Sequence, residues 1–435
     1  MATKKPTSVT IRTYAVGFGD CFLLSFKYPN EARHVLIDFG STAVPKGAPA
    51  NQLQRIAQDI ATTTGGKLHA IVATHRHADH ISGFATNATG SGPGDIIRGL
   101  KPDVVLQPWT EDPKAQRDAR KATRTAQSGA AKLRALAALE GMHEVARAAE
   151  AAATDLREVV SKSVSEQLSF IGEDNVKNLS AVRNLMSMPG AERLYVNFGS
   201  KSGLERLLPG VKVHVLGPPT LEQSATIKKQ RARDEVEFWQ FWQRQGVAVS
   251  SGVSHGQRLF PRDVAAETPP HLRWFRQRLG EVYGDELLQL VTILDSAMNN
   301  TSVILLFEVG TKRLLFPGDA QLENWEYALA RPEVRKLLAG TTLYKVGHHG
   351  SLNATPKTKL WEIFKNKSRT KSSRRLLTLL STREDKHGHA SDHTEVPRST
   401  LLKELKSKTS LTNTLDYKAG ELCRETLVKF GEPVQ

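Results

Sequence analysis

The sequence predicts a layered α/β fold, and three observations carry that expectation: short β-like runs, segments of helical periodicity between them, and apolar runs that stop abruptly in polar residues. From Ser8 the chain reads SVTIRTYAV, CFLLSF and HVLIDF, divided by Gly17, Gly19 and the polar stretch Lys27 to Arg33. Runs this short, with turn residues between them, predict an antiparallel start. Leu53, Ile56 and Ile60 then fall at helical spacing within the stretch Asn51 to Thr63. LHAIVAT, Leu68 to Thr74, is an apolar run that ends in polar residues, the pattern of a buried strand feeding a loop. DVVLQ, Asp103 to Gln107, ends in the same way at Pro108 and Trp109.

Glu111 to about Met188 differs in character, being rich in Ala, Arg and Glu and nearly free of β-branched runs. Met142, Val145, Ala149, Ala152, Leu156 and Val159 recur every three or four residues and form one apolar face. The segment reads as a long helical insertion, a hairpin with breaks near Gly129 and Gly141. Strand-like runs resume at Val211 to Leu216, Ser302 to Glu308, Arg313 to Phe316, Thr342 to Val346 and Leu376 to Leu380, with a helical stretch from Lys228 to Gln245 between the first two. The expected organisation is a first half of the fold over 1–110, the insertion over 111–190, a second half over 191–406 and a C-terminal element over 407–435.

Composition narrows the function. The 435 residues suffice for a large core, and 60 Lys+Arg against 45 Asp+Glu give a net charge of +15, which favours anionic partners. Two cysteines, Cys21 and Cys423, exclude a disulfide framework and a Cys-rich zinc ribbon. No stretch reaches the ~18 apolar residues of a membrane span, and Val9, Ile11 and Tyr14 alternate where a signal peptide would be continuously apolar. A cytoplasmic protein with no membrane partner is expected.

The chemistry lies at the strand ends. His75, His77, Asp79 and His80, in THRHADHISG, follow the run Leu68 to Ala73 directly. Three imidazoles and a carboxylate in so short a stretch supply N and O donors for two zinc-like ions. LLFPGDA places Asp319 at the end of another strand, and LYKVGHHGS places His348 and His349 at the end of a third. Strand ends converge at one edge of a sheet, where Asp79 and Asp319 are expected to be exposed.

HxHxDH, then GD, then HHGS resemble the metallo-β-lactamase superfamily, and the closer likeness is to the hydrolase domain of ComEC-like competence (DNA-uptake) proteins. VGFGDC at Val16 to Cys21, LIDFG at Leu36 to Gly40 and NNTSVILLFEVGTKRLLFPGDA from Asn299 resemble that domain's opening, turn and GD strand. The likeness covers roughly Ser8 to Gly83 and Asn299 to about Leu405, and leaves the insertion without a counterpart. It implies an αββα metallo-β-lactamase sandwich with a helical insertion, holding two divalent metal ions, zinc or manganese.

Carried over residue by residue, the resemblance puts His75 and His77 on the first ion, Asp79 and His80 on the second, and Asp319 between both. His348 or His349 completes the second site, with His349 favoured. Asp38 is expected to orient a ligand histidine, with Asp20 also supporting the site. For a further histidine on the first ion, His143, His214 and His255 in the interval are candidates, and none of them follows the family pattern. HGHASDHTEVP resembles a late turn of the competence domains in which a histidine faces the site, so His389 or His393 is expected to contact a phosphate oxygen or protonate a leaving group. Asp79 is also expected to hold the proton of the nucleophilic water.

The function so implied is a metal-dependent phosphodiesterase or nuclease. Lys114, Arg117, Lys121 and Arg124 share a helical face after Asp103 to Gln107 and are expected to bind a polyanion. Lys365 to Arg375, the densest basic run, is expected at the opposite end of the sheet and is discounted as a catalytic contact. The alternatives are hydrolysis of a small ester, thioester or lactam, and a partner-binding module, in a defence system for example, whose insertion docks another protein through the stripe Met142 to Val159. No Walker loop is present, which argues against an NTPase.

Overall fold

The computed structural model describes residues 5–113, 179–220, 222–224, 299–351, 354–384, 386 and 395–431. It is a mixed α/β structure with two mixed sheets. The first has seven strands in the order β13-β1-β2-β3-β4-β5-β6. These are β1 (Ser8–Tyr14), β2 (Cys21–Lys27), β3 (Ala32–Phe39), β4 (Ala70–Val72), β5 (Val104–Pro108), β6 (Glu192–Val196) and β13 (Cys423–Lys429). The second has six in the order β12-β11-β10-β9-β8-β7. These are β7 (Lys212–Gly217), β8 (Ile304–Val309), β9 (Lys312–Phe316), β10 (Leu343–Lys345), β11 (Leu377–Leu380) and β12 (Ser410–Asn413). Strands β1 to β3 are antiparallel, as the short glycine-divided runs predict, and β3 to β6 are parallel. Likewise β7 to β9 are antiparallel and β9 to β12 parallel.

The strands read as continuous apolar runs because both faces of each sheet are covered. Along β2, Phe22, Leu24 and Phe26 face one cluster, shared with Phe307 and Phe316 of the second sheet, while Leu23 faces another. That second cluster packs the first sheet against α1 (Gln52–Thr63), α3 (Pro93–Gly99) and α4 (Leu179–Ser187) through Ile56, Ile60, Ile97 and Leu185. The outer side of the second sheet packs Leu306, Leu315, Tyr344 and Leu380 against α5 (Leu322–Leu329), α6 (Pro332–Ala339) and α7 (Ser399–Lys408). Trp325 of α5 is fully buried there, so truncation to Ala costs about 3–5 kcal/mol.

Two parts of the chain fall differently from the expected boundaries. β6 lies beyond residue 191 yet completes the first sheet, parallel to β5, so the chain crosses to the second sheet at β7. Residues after 407 extend both sheets: β12 joins β11, and β13 pairs along the whole of β1. Of the expected insertion, 114–178 lie outside the described residues, as does the helix expected over Lys228 to Gln245. Among the described residues no helix is long and apolar enough to cross a membrane.

The parallel halves of the two sheets bring their C-terminal ends together. Val303 N–H donates to Thr74 O at 2.9 Å, Asp20 N–H to Asp79 O at 2.9 Å, and Ser381 Oγ to Gly19 O at 2.5 Å. These links tie the loops after β1, β4 and β11 and the residues leading into β8 into one edge.

Candidate metal centre

β4 leads through Thr74 and His75 to His77, which is in extended backbone, and a single helical turn, α2 (Ala78–Ile81), begins after it. The change of backbone within HxHxDH sorts its donors into two directions. His75 Nε2 and His77 Nδ1 face each other at 3.0 Å. Two nitrogens on one tetrahedral zinc stand about 3.3 Å apart, given Zn–N of about 2.0–2.1 Å. The turn swings Asp79 and His80 toward the second sheet.

There the GD and HHGS segments meet them. Gly318 takes a left-handed φ of 57°, and a Cβ on it would lie 2.8 Å from Thr74, so only glycine lets β9 deliver Asp319 this close to β4. Asp319 Oδ2 lies 3.0 Å from His80 Nε2 and 3.4 Å from His349 Nε2. His349 Nε2 is 2.7 Å from Asp79 Oδ2, and its Nδ1 is 3.0 Å from Ser381 O, which accepts the Nδ1 proton and leaves Nε2 for the centre. His348 and His349 both carry positive φ, 44° and 51°, a backbone cost of order 1–3 kcal/mol each at a turn that carries His349 inward.

The structure separates the members of that pair. His349 is fully buried among the ligand atoms, whereas His348 stands at the rim, 22% exposed and 4.0 Å from Asp319 Oδ2. Three groups of ligand atoms, each within 4.8 Å, result among the described residues: Asp20, Asp38 and His80, which belongs to the supporting scaffold, and the two that face the centre, Asp79, His80, Asp319 and His349, and His75, His77 and Asp79. Asp79, not Asp319, is common to the latter two.

A buried scaffold holds the donors. Asp38, itself at φ 53°, accepts from Thr74 N at 2.7 Å and Thr74 Oγ1 at 2.7 Å, and lies 2.8 Å from His80 Nδ1. That contact assigns the His80 proton to Nδ1 and leaves Nε2 to coordinate. Gly40 follows this turn, and a Cβ there would meet the Asp79 backbone at 2.5 Å. Lys345, the last residue of β10, is 2% exposed and places Nζ on Asp20, 3.3 Å from Asp319 Oδ1 and 3.1 Å from Gly318 O.

Electrostatics split the histidines. Burial, reinforced by His80, holds His75 well below its usual range, and burial lowers His77 to about 4, so both are neutral donors. For His80 burial opposes the charge, but the carboxylates of Asp319, Asp79 and Asp38 outweigh it and raise its pKa well above the usual value. His349 is raised in the same way against its burial, by Asp319 and its hydrogen bond to Asp79. Asp79 and Asp319 are depressed despite burial, with His80 the largest favourable influence on each. Lys345 is held above its ordinary value because Asp20 and Asp319 overcome its desolvation.

The donor set fits divalent metal. His80 Nε2 and Asp319 Oδ2 lie 3.0 Å apart as a buried ion pair, whereas Asp79 Oδ1 is buried and makes no hydrogen bond among the described residues. A buried polar atom left this way costs about 1–3 kcal/mol unless a ligand satisfies it.

His75, His77, Asp79, His80, Asp319, His349, Asp20 and Asp38 thus come together, with His348 beside them. Asp79 and Asp319 do not lie exposed at a strand edge: they are 4% and 1% exposed, because the loops after β1 and β11 close over that edge. His214 is remote, paired with Glu308 across β7 and β8 at 3.0 Å. His389, His393, His143, His255, Lys114, Arg117, Lys121 and Arg124 lie outside the described residues. Lys345 and Ser381 were not anticipated, although a lysine within LYKV, three residues before HHGS, was a signal. No protein-family model matches this chain, and no curated protein matches it.

Proposed function

We propose that the protein is a metal-dependent hydrolase, a phosphodiesterase or nuclease that acts on nucleic acid through a dinuclear zinc or manganese centre, on an αββα sandwich of the metallo-β-lactamase kind. The observation that carries the reading is the pair of ligand groups sharing Asp79, whose buried Oδ1 makes no hydrogen bond among the described residues. The helices packed outside each of two facing sheets agree with the layer order.

His75 and His77 would hold one ion, and Asp79, His80, Asp319 and His349 the other. Divalent ions there supply Lewis acidity, making water nucleophilic near neutral pH and stabilising charge on the oxygens of a displacement. The chain's own part is to fix the donors. Asp38 and Ser381 O set the tautomers of His80 and His349, and Lys345 takes Asp319 Oδ1 so that Oδ2 faces the centre. Asp79 Oδ1, unengaged by the protein, is placed to take a proton from water. Basic net charge favours a polyanionic substrate over a neutral lactam or thioester.

The test is hydrolysis of single- and double-stranded DNA, RNA and a chromogenic phosphodiester with added manganese or zinc. Turnover that disappears in Asp319→Ala is the expected result. No hydrolysis of any phosphodiester, with turnover of a thioester or lactam, would overturn the assignment.

A further inference from the structure

The end of the second sheet away from the metal centre carries a concentration of charge that the chemistry leaves unused. The loop Lys365 to Arg375 precedes β11, and the last turns of α7 lie against it: Ser368 N–H donates to Lys408 O at 2.9 Å and Arg375 Nη2 to Ser407 O at 2.6 Å. Two basic segments distant in sequence thereby form one surface. Lys365, Arg369, Lys371, Arg374, Lys403 and Lys406 are all exposed there.

None of these six makes an ion pair among the described residues, whereas arginines elsewhere sit on carboxylates: Arg12 on Asp59 and Glu425, Arg206 on Glu192, Arg313 on Glu308 and Arg424 on Glu421. Glu404, the acid within α7, is already engaged by Lys408 at 2.6 Å and Trp361 Nε1 at 3.2 Å. Glu362 is the remaining exposed acid nearby. A solvated face mixes signs, but this one holds like charges together without partners, at a cost in self-repulsion that an anionic ligand would relieve.

We propose that this surface docks the phosphate backbone of nucleic acid, a reading that rests on the metal centre being a phosphodiesterase. Ser368, Thr370, Ser372 and Ser373 interleave the cations, giving the mixture of charged and hydroxyl donors that contacts phosphates. A lipid surface fits less well: the exposed large hydrophobic residue among those described is Leu427, on β13 of the other sheet, so nothing apolar accompanies the cations. β11 runs from this surface to Ser381, whose carbonyl holds His349. Leu377 to Ser381 spans about 13 Å at about 3.3 Å per residue, or about four base pairs at 3.4 Å each. A duplex of about 20 bp is therefore longer than the separation of the two ends of β11.

The experiment uses the full chain in EDTA, so that no cleavage occurs, and measures fluorescence anisotropy of a labelled duplex of about 20 bp between roughly 50 and 200 mM salt. In the variant Lys365→Glu/Arg369→Glu/Lys371→Glu/Arg374→Glu, loss of about four phosphate contacts should reduce the log-log salt slope by ~3–4 and weaken binding at least about tenfold. Lys403→Glu/Lys406→Glu, in the body of a helix, should reduce it by ~2 and guards against a loop-specific folding defect. Turnover of a chromogenic phosphodiester by both variants should match the unmodified protein. An unchanged slope in both variants overturns the proposal, as does binding to phosphatidylserine vesicles with none to DNA. DNA binding through this surface by a protein that cleaves no phosphodiester would instead overturn the reading of the metal centre and leave the docking surface standing.

Discussion

Replacing Lys345 with Met removes the one ammonium from the interior of the centre and leaves its shape nearly intact. Lys345 is 2% exposed, Asp20 is fully buried and Asp319 is 1% exposed, so water cannot take the place of the lost charge. At 3.3 Å from Asp319 and an effective dielectric constant near 20, the direct attraction is about 5 kcal/mol, against which stands the desolvation of the ammonium. Breaking such a buried pair from one side costs about 3–5 kcal/mol, because the carboxylates remain buried. Urea unfolding in EDTA should therefore show Lys345→Met destabilised by that amount. Lys345→Met/Asp20→Asn should be more stable than the single variant, since it removes the stranded charge. Saturating manganese should narrow the deficit by restoring positive charge beside Asp319. A Lys345→Met protein within about 1 kcal/mol of the unmodified protein in EDTA would refute the reasoning.

Asp38→Asn should leave the fold in place and weaken metal affinity about 10–100-fold, read by competition with a chromophoric chelator, because His80 loses the acceptor that sets its tautomer. In the metal-free protein the raised pKa values of His80 and His349 contribute stability that is complete below about 6.5 and lost as pH rises through the raised values. Ion uptake at pH 7 should consequently release protons, and affinity should climb with pH; calorimetry in two buffers of different ionisation heat detects the release, and its absence contradicts the assignment. Asp79→Ala should abolish hydrolysis, whatever its effect on melting, and wild-type turnover by this variant would remove Asp79 from the shared position. Charge reversal of Lys114, Arg117, Lys121 and Arg124 should reduce the salt slope of polyanion binding by ~3–4 while a small phosphodiester is still cleaved; equal loss on both substrates removes these four residues from substrate binding.

Much of the centre was legible because its residues are adjacent in sequence and follow apolar runs. HxHxDH after β4, GD after β9 and HHGS after β10 each announce a strand end. What could not be read was the choice within HHGS, since it depends on two successive positive-φ residues that turn His349 inward and leave His348 at the rim. Lys345 escaped for a related reason: its neighbours Leu343 and Tyr344 are fully buried, and only the meeting of three loops reveals that its ammonium ends on carboxylates. Burial of Asp79 and Asp319 was missed because the covering loops come from β1 and β11, remote in sequence. β13 was missed because its burial alternates only weakly, as an edge strand with one face in solvent does.

Metal content tests the central claim most directly. Protein purified without chelator, or dialysed against zinc or manganese, should carry close to two ions per chain by elemental analysis. His349→Ala should lower that toward one by emptying the group with His80 and Asp319, and His75→Ala/His77→Ala should do the same for the other. Less than a few tenths of an ion per chain, with no uptake and no gain in melting temperature on metal addition, would contradict the dinuclear account.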